Sequence, residues 1–110
     1  MPFGWNRYKL ANLGEIVQKI RSKNAGPFWL TVDIFCGTPH AYEYVIARLS
    51  SATVAKAFGV NTQDIKRFDI ANLHVVKFSL PRPHVQGSTL DPDMHGASWA
   101  ALLAELPLEN

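Results

Sequence analysis

The run FWLTVDIFC, residues 28–36, constrains the fold of this 110-residue chain more than any other stretch. Its β-branched and aromatic residues favour extended backbone. Successive side chains of a strand point to opposite faces. Phe28, Leu30, Val32, Ile34 and Cys36 therefore share one face, and Trp29, Thr31, Asp33 and Phe35 share the other. Both faces are largely apolar, which predicts a central strand covered on both sides.

The neighbouring segments supply the cover. Gly26-Pro27 breaks the chain before the strand. Ahead of it, Leu10, Leu13, Ile16, Val17 and Ile20 fall on one face of a 3.6-residue period, which predicts a helix over about 9–22. After the strand, Thr38 reads as an N-cap and Pro39 as the first helical residue. Tyr42, Val45, Ile46 and Leu49 form the buried stripe of that helix. Ser51 suits the cap of a second short helix carrying Val54 and Phe58, with Gly59 as its left-handed C-terminal residue. Asn61–Asp64 reads as a turn. Two strands follow at 65–70 and 73–80, joined through Ala71-Asn72, with the period-two alternation of a hairpin. From Pro81 onward the pattern fails, and 81–110 reads as an extended tail. Within it, ASWAALLAEL forms either a short terminal helix or a segment lying on a partner, because Trp99, Leu102, Leu103 and Leu106 need cover. The order α-β-α-α-β-β-tail predicts a single α+β domain over 1–110, a sandwich with helices on one face of a mostly antiparallel sheet.

Composition narrows the functional classes. Hydrophobic residues make up 47% and charged residues 18%, so the chain buries a core. Net charge is only +2, and the 11 basic residues form no run longer than Lys66-Arg67, so nucleic acid is not an expected partner. The single cysteine, Cys36, excludes an intrachain disulfide and reads as a small buried hydrophobe. MPFGWNRYKL lacks the apolar core of a signal peptide, and no stretch approaches the length of a membrane span. A soluble cytoplasmic protein is the expectation.

Two features suggest chemistry. Arg21, Ser22, Lys23 and Asn24 bring cations and neutral donors together ahead of Gly26. At a helix C-terminus they have a structural reason, since cations complement the macrodipole and Asn tolerates left-handed backbone. As a site they would bind a carboxylate or phosphate, with Gly26 admitting the ligand to the backbone. Asp33 is the second feature. A carboxylate within LTVDIF must be solvated, paired or protonated. It reads either as a general acid or base, working with Lys23, or as an ion pair with Arg67, Lys77 or Arg82; the ion pair is the preferred reading. Arg82, held between Pro81 and Pro83, reads as an anion clamp or as an edge charge that discourages sheet pairing. Asp91, Asp93 and His95 have hard-ligand types but no second histidine at a fixed spacing. No catalytic-triad order, cysteine metal set or nucleotide fingerprint is present, so neither metal nor cofactor is predicted.

RSKNAGPFWLTVDIF, with SLPRP at the end of a later strand, resembles domain-of-unknown-function family 4387 over roughly residues 9–85. Members of that family resemble the small ferredoxin-like C-terminal module of AtuA-like (acyclic terpene utilization) proteins, and their genes commonly accompany one for a larger AtuA-like protein. The resemblance implies a ferredoxin-like fold and a large AtuA-like partner. It also implies a role in a hydratase, lyase or isomerase acting on branched carboxylate or acyl-CoA substrates. Arg21, Ser22, Lys23, Asn24 and Gly26 match the family's most recognisable motif, Asp33 its strand carboxylate and Arg82 the Arg of its PRP segment. DMHGASWA departs from the family's D-x-Y-G-A-Q-like segment. Three roles follow: small subunit of a heteromeric enzyme with an anion-binding turn, non-catalytic assembly module driving hetero- or homo-oligomers, or independent small acid/base enzyme with its site at a subunit interface.

Overall fold

The computed structural model describes residues 11–82 and 98–108. Along the chain run α1 (Leu13–Ile16), β1 (Lys19–Asn24), β2 (Trp29–Phe35), α2 (Pro39–Arg48) and α3 (Ser51–Phe58), then β3 (Lys66–Ile70), β4 (Val75–Pro81) and α4 (Ser98–Ala104). The strands form one sheet in the order β1-β2-β4-β3, with every neighbouring pair antiparallel. Two hairpins thus lie side by side, and β2 and β4 are the central strands. The α+β class with an antiparallel sheet is as the sequence predicts.

The predicted helix over 9–22 is corrected. Residues 9 and 10 lie outside the described residues. Of the remainder, only one turn, α1, is helical. The Asn12 N–H donates to Glu15 Oε1 at 2.8 Å, closing that turn at its start. Val17 is already extended, at φ −100° and ψ 165°. Leu13, Ile16, Val17 and Ile20 satisfy a helical period over a short window. The following residues alternate as a strand: Ile20, Ser22 and Asn24 face inward, and Lys19, Arg21 and Lys23 face outward. Pairing along the apolar β2, with Ile20 opposite Ile34, supplies the backbone partners and overrides the local period. Gly26-Pro27 is consequently a hairpin turn, closed by Ala25 N–H donating to Trp29 O at 2.9 Å. Gly26 sits at φ 85°, where a side chain would be strained.

The other boundaries follow their local chemistry. Thr38 Oγ1 accepts from Ala41 N–H at 3.1 Å, and Pro39 opens α2. The cap of α3 is Ser50 rather than Ser51, its Oγ accepting from Thr53 N–H at 3.1 Å. Gly59 ends that helix at φ 73°. A 3₁₀ turn, Ala71–Leu73, joins β3 to β4, and His74 takes a left-handed conformation there at φ 54°.

The core lies between the inner sheet face and the helices. Leu30, Val32 and Ile34 of β2 and Val76, Phe78 and Leu80 of β4 meet Val45, Leu49, Val54, Phe58 and Leu103. The terminal segment finds its cover within its own chain. Leu103 is fully buried, and Trp99 meets Phe58 edge-on at 5.5 Å between ring centroids. The segment past α4 bonds back to α1: Leu13 N–H donates to Leu106 O at 2.7 Å and Leu108 N–H to Ala11 O at 3.1 Å.

A second expectation is corrected among the described residues: the inward side of β2 is fully buried and its other side only partly. Its inward residues are sealed, yet Trp29 is 41% exposed and Thr31, Asp33 and Phe35 are only partly buried. The described helices bury the inner face; the outer face is exposed at Lys19, Arg21, Lys23, Lys66 and Phe68 of its edge strands and half-buried or buried at Asp33, Lys77 and Val75 of its centre. No described helix is long and apolar enough to cross a membrane.

Candidate functional site

Because Arg21–Asn24 is strand rather than helix end, its four side chains alternate, and the predicted site divides between the two faces of the sheet.

Ser22 and Asn24 go inward with Arg82. Ser22 is 6% exposed, and its Oγ accepts from the Ala100 N–H in the first turn of α4 at 2.8 Å. A hydroxyl from β1 thereby satisfies one of the donors that a helix start leaves open. Arg82 is 7% exposed; its Nη1 donates to Asn24 Oδ1, and its own N–H donates to Phe28 O at 2.8 Å. These bonds tie the end of β4 to the β1–β2 hairpin. The buried trio therefore docks α4 and locks the hairpin. Gly26 serves the turn.

Arg21 and Lys23 go outward and are exposed. In register, Arg21 stands opposite Asp33 and Lys23 opposite Thr31. Asp33 is flanked on its other side by Lys77 and Thr31 by Ser79; Lys77 in turn faces Phe68, and Ser79 faces Lys66. Two rows cross all four strands: Arg21-Asp33-Lys77-Phe68 and Lys23-Thr31-Ser79-Lys66. Lys23 and Asp33 are thus diagonal neighbours, roughly 7–8 Å apart, a separation that long side chains span.

The ion pairs expected of Asp33 are not those observed. Arg82 bonds Asn24 on the opposite face. Arg67 also faces inward, where its Nε meets Asp69 Oδ1 at 2.8 Å and its Nη1 donates to Leu49 O at 2.5 Å. Among the described residues, neither Arg21 nor Lys77 closes to within 4.0 Å of the Asp33 carboxylate. Asp33 stands between two cations, each held at a neighbouring registered position.

Sequence reasoning missed Lys19, Lys66 and Phe68, and named Lys77 only as an ion-pair partner of Asp33. The alternation in KRFDI and VVKFSLP puts Lys66, Phe68 and Lys77 on a common face of their strands, but only the β2–β4 and β3–β4 registers bring that face beside Lys19, Arg21 and Lys23 of β1. Cys36 is 3% exposed, and burial pushes its thiol pKa up to about 11, which suits a packed hydrophobe and not a nucleophile. Among the described residues no group of three His, Cys, Asp or Glu is placed to hold a metal. Asp91, Asp93 and His95 lie outside the described residues.

These features define a small two-layer α+β module with one sheet face sealed by helices and the other presented outward. The chain belongs to the family described as Domain of unknown function (DUF4387), whose model matches residues 13–107. No curated protein and no solved structure matches it.

Proposed function

We propose that this chain is the small subunit of a heteromeric AtuA-like enzyme, a hydratase, lyase or isomerase of branched carboxylate or acyl-CoA substrates. Its open sheet face completes the site shared with the large subunit. Arg21 and Lys23 supply positive charge to the anionic end of the substrate, and Asp33 is the adjacent proton-exchanging group. The observation that carries this reading is the placement of Arg21, Lys23 and Asp33 together on the outward face of the sheet. Ser22, Asn24, Gly26 and Arg82 act as supports of that strand.

The second reading is the assembly module: Leu103 and Trp99 of the leucine-rich tail pack within the chain, and Leu102, 42% exposed, is what the tail offers a partner.

Co-expression with the neighbouring AtuA-like protein, followed by light scattering, tests the proposal. A complex of defined mass is expected. Within it, Arg21→Ala and Lys23→Ala retain assembly but lose turnover about 10²-fold, the scale for losing a charged group that positions substrate. A chain that stays alone beside the large protein overturns the reading. Turnover by the chain without any second protein would favour the independent acid/base enzyme.

A further inference from the structure

The two edge strands of the sheet are tied down differently. β3 is held by Arg67, whose guanidinium donates to Ile46 O and Leu49 O at the end of α2. That helix follows the central strand β2 after only Cys36, Gly37 and Thr38. β1 is held by the far end of the chain: Ser22 Oγ accepts from the Ala100 N–H at 2.8 Å, across 78 residues of sequence. Its own apolar grip is small. Of its inward residues, Ile20 is half-buried, Asn24 is half-buried and polar, and Ser22, the buried one, is polar too. A strand with few buried apolar contacts lies at the low-stability end of a fold.

α4 depends on its surroundings in the same way. Seven residues are too few for a helix to persist alone in water. Its order comes from packing: Leu103 is fully buried, and Trp99 meets the Phe58 ring. Ala104 lies so close to α1 that a Cβ at Gly14 would fall 2.9 Å from the Ala104 Cβ. Past α4, Leu13 N–H donates to Leu106 O, Leu108 N–H donates to Ala11 O, and Asn12 bridges to Pro107. Residues 11–24 and 98–108 thus hold one another. The remainder, β2, β4 and β3 with α2 and α3, carries its own buried cluster in Val32, Ile34, Val45, Val54, Val76 and Phe78.

We infer that α4 is a latch for β1. Docked, it orders the strand that carries Arg21 and Lys23. Undocked, it releases β1 from β2 while β2, β4 and β3 stay folded under α2 and α3. Release starts at the Lys19 end, because Arg82 Nη1 donates to Asn24 Oδ1 and ties the turn end of β1 to β4. The latch stands whatever Arg21 and Lys23 bind; on the small-subunit reading it makes α4 the element that sets those two cations.

Amide hydrogen exchange at neutral pH on the full chain tests the latch. In wild type, the hydrogen-bonded amides of β1 and α4 are expected to open together, and more readily than those of β3 and β4. Gly14→Ala presses on Ala104, and Ser22→Ala removes the acceptor of the Ala100 N–H. Each is expected to raise exchange in β1 and α4 by one common factor of about tenfold. Val45→Ala weakens the other unit. It is expected to raise exchange in β3 and β4 about tenfold or more and to leave β1 and α4 unchanged. Exchange raised in α4 alone by Gly14→Ala overturns the latch, as does a Val45→Ala effect that is equal in all four strands. Should Gly14→Ala fail to fold, Ser22→Ala and Val45→Ala decide the question alone. Either failure leaves the small-subunit reading standing, since that is decided by complex formation with the large protein.

Discussion

The two faces of this sheet are built from the same strands and yet have opposite natures. On β2, Leu30, Val32 and Ile34 are completely buried, while Trp29, Thr31, Asp33 and Phe35, one residue out of step, look away from the core. On β4 the contrast falls between Phe78, fully buried, and Lys77, only partly buried. The inner face is where folding energy is gained, because apolar surface leaves water there. The outer face contributes little to that gain and keeps residue types that folding alone does not require.

The largest expected effect tests this division directly. Phe78→Ala removes a sealed ring in the central strand and is expected to cost about 3–5 kcal/mol in urea unfolding. Phe68→Ala, on the open face, is expected to cost about 1 kcal/mol or less. Equal losses would mean that the outer face is part of the folding core, and the division between the two faces would fail.

A smaller effect sharpens the comparison on a single strand. Lys66 and Arg67 are adjacent cations of β3 pointing to opposite faces. Arg67 reaches under the helices: its guanidinium donates to Leu49 O at 2.5 Å and Ile46 O at 3.4 Å, and lies 5.7 Å from the centre of the Phe78 ring. It satisfies carbonyls at the C-terminal end of α2, where positive charge also complements the helix dipole. Arg67→Met keeps the apolar stem and strips those bonds. A loss of about 2 kcal/mol is expected, the scale for hydrogen bonds to a charged group. Lys66→Met is expected to stay within about 0.5 kcal/mol. Thermal or urea unfolding of the two variants separates an inward arginine that supports the fold from an outward lysine that does not.

The same alternation explains what was legible in the sequence. β2, the α2 and α3 helices and the β3–β4 hairpin were readable, because each carries its own signal: a β-branched run, the Thr38-Pro39 start, the Gly59 stop, a period of two. β1 was not readable as a strand, because KIRSKN has no apolar alternation of its own and follows residues that fit a helical period. Its strand character comes from β2, far along the pairing and invisible to local reading. The candidate site shared that fate. Arg21–Asn24 read as one polar cluster, whereas the strand sends Ser22 and Asn24 to Ala100 and Arg82, and Arg21 and Lys23 to the open face. The positive charge judged too scattered along the chain is gathered by the β2–β4 register, which no sequence window contains. Lys77 was readable as a neighbour of Asp33, whereas Arg21 on its other side required the sheet order.

The smallest effect concerns the end of the sealed face. Cys36 follows β2 on its inward side, and its thiol pKa is raised from 9.0 to about 11 by burial. The unfolded chain loses that proton near the lower value, and the folded chain holds it to the higher one. Between the two, the unfolded state binds fewer protons, so stability falls as pH rises through this window and is fully retained below it. Other groups titrate in the same range, so the measurement is a difference: urea midpoints of wild type and Cys36→Val from pH 8 to 11. The wild-type midpoint is expected to fall more steeply than that of Cys36→Val above pH 9, and the wild-type thiol is expected to resist alkylation at pH 8 until urea unfolds the chain. Fast alkylation without urea, or parallel pH profiles, would show that the inner face is open at its Cys36 end. The two faces would then differ in composition but not in access to water.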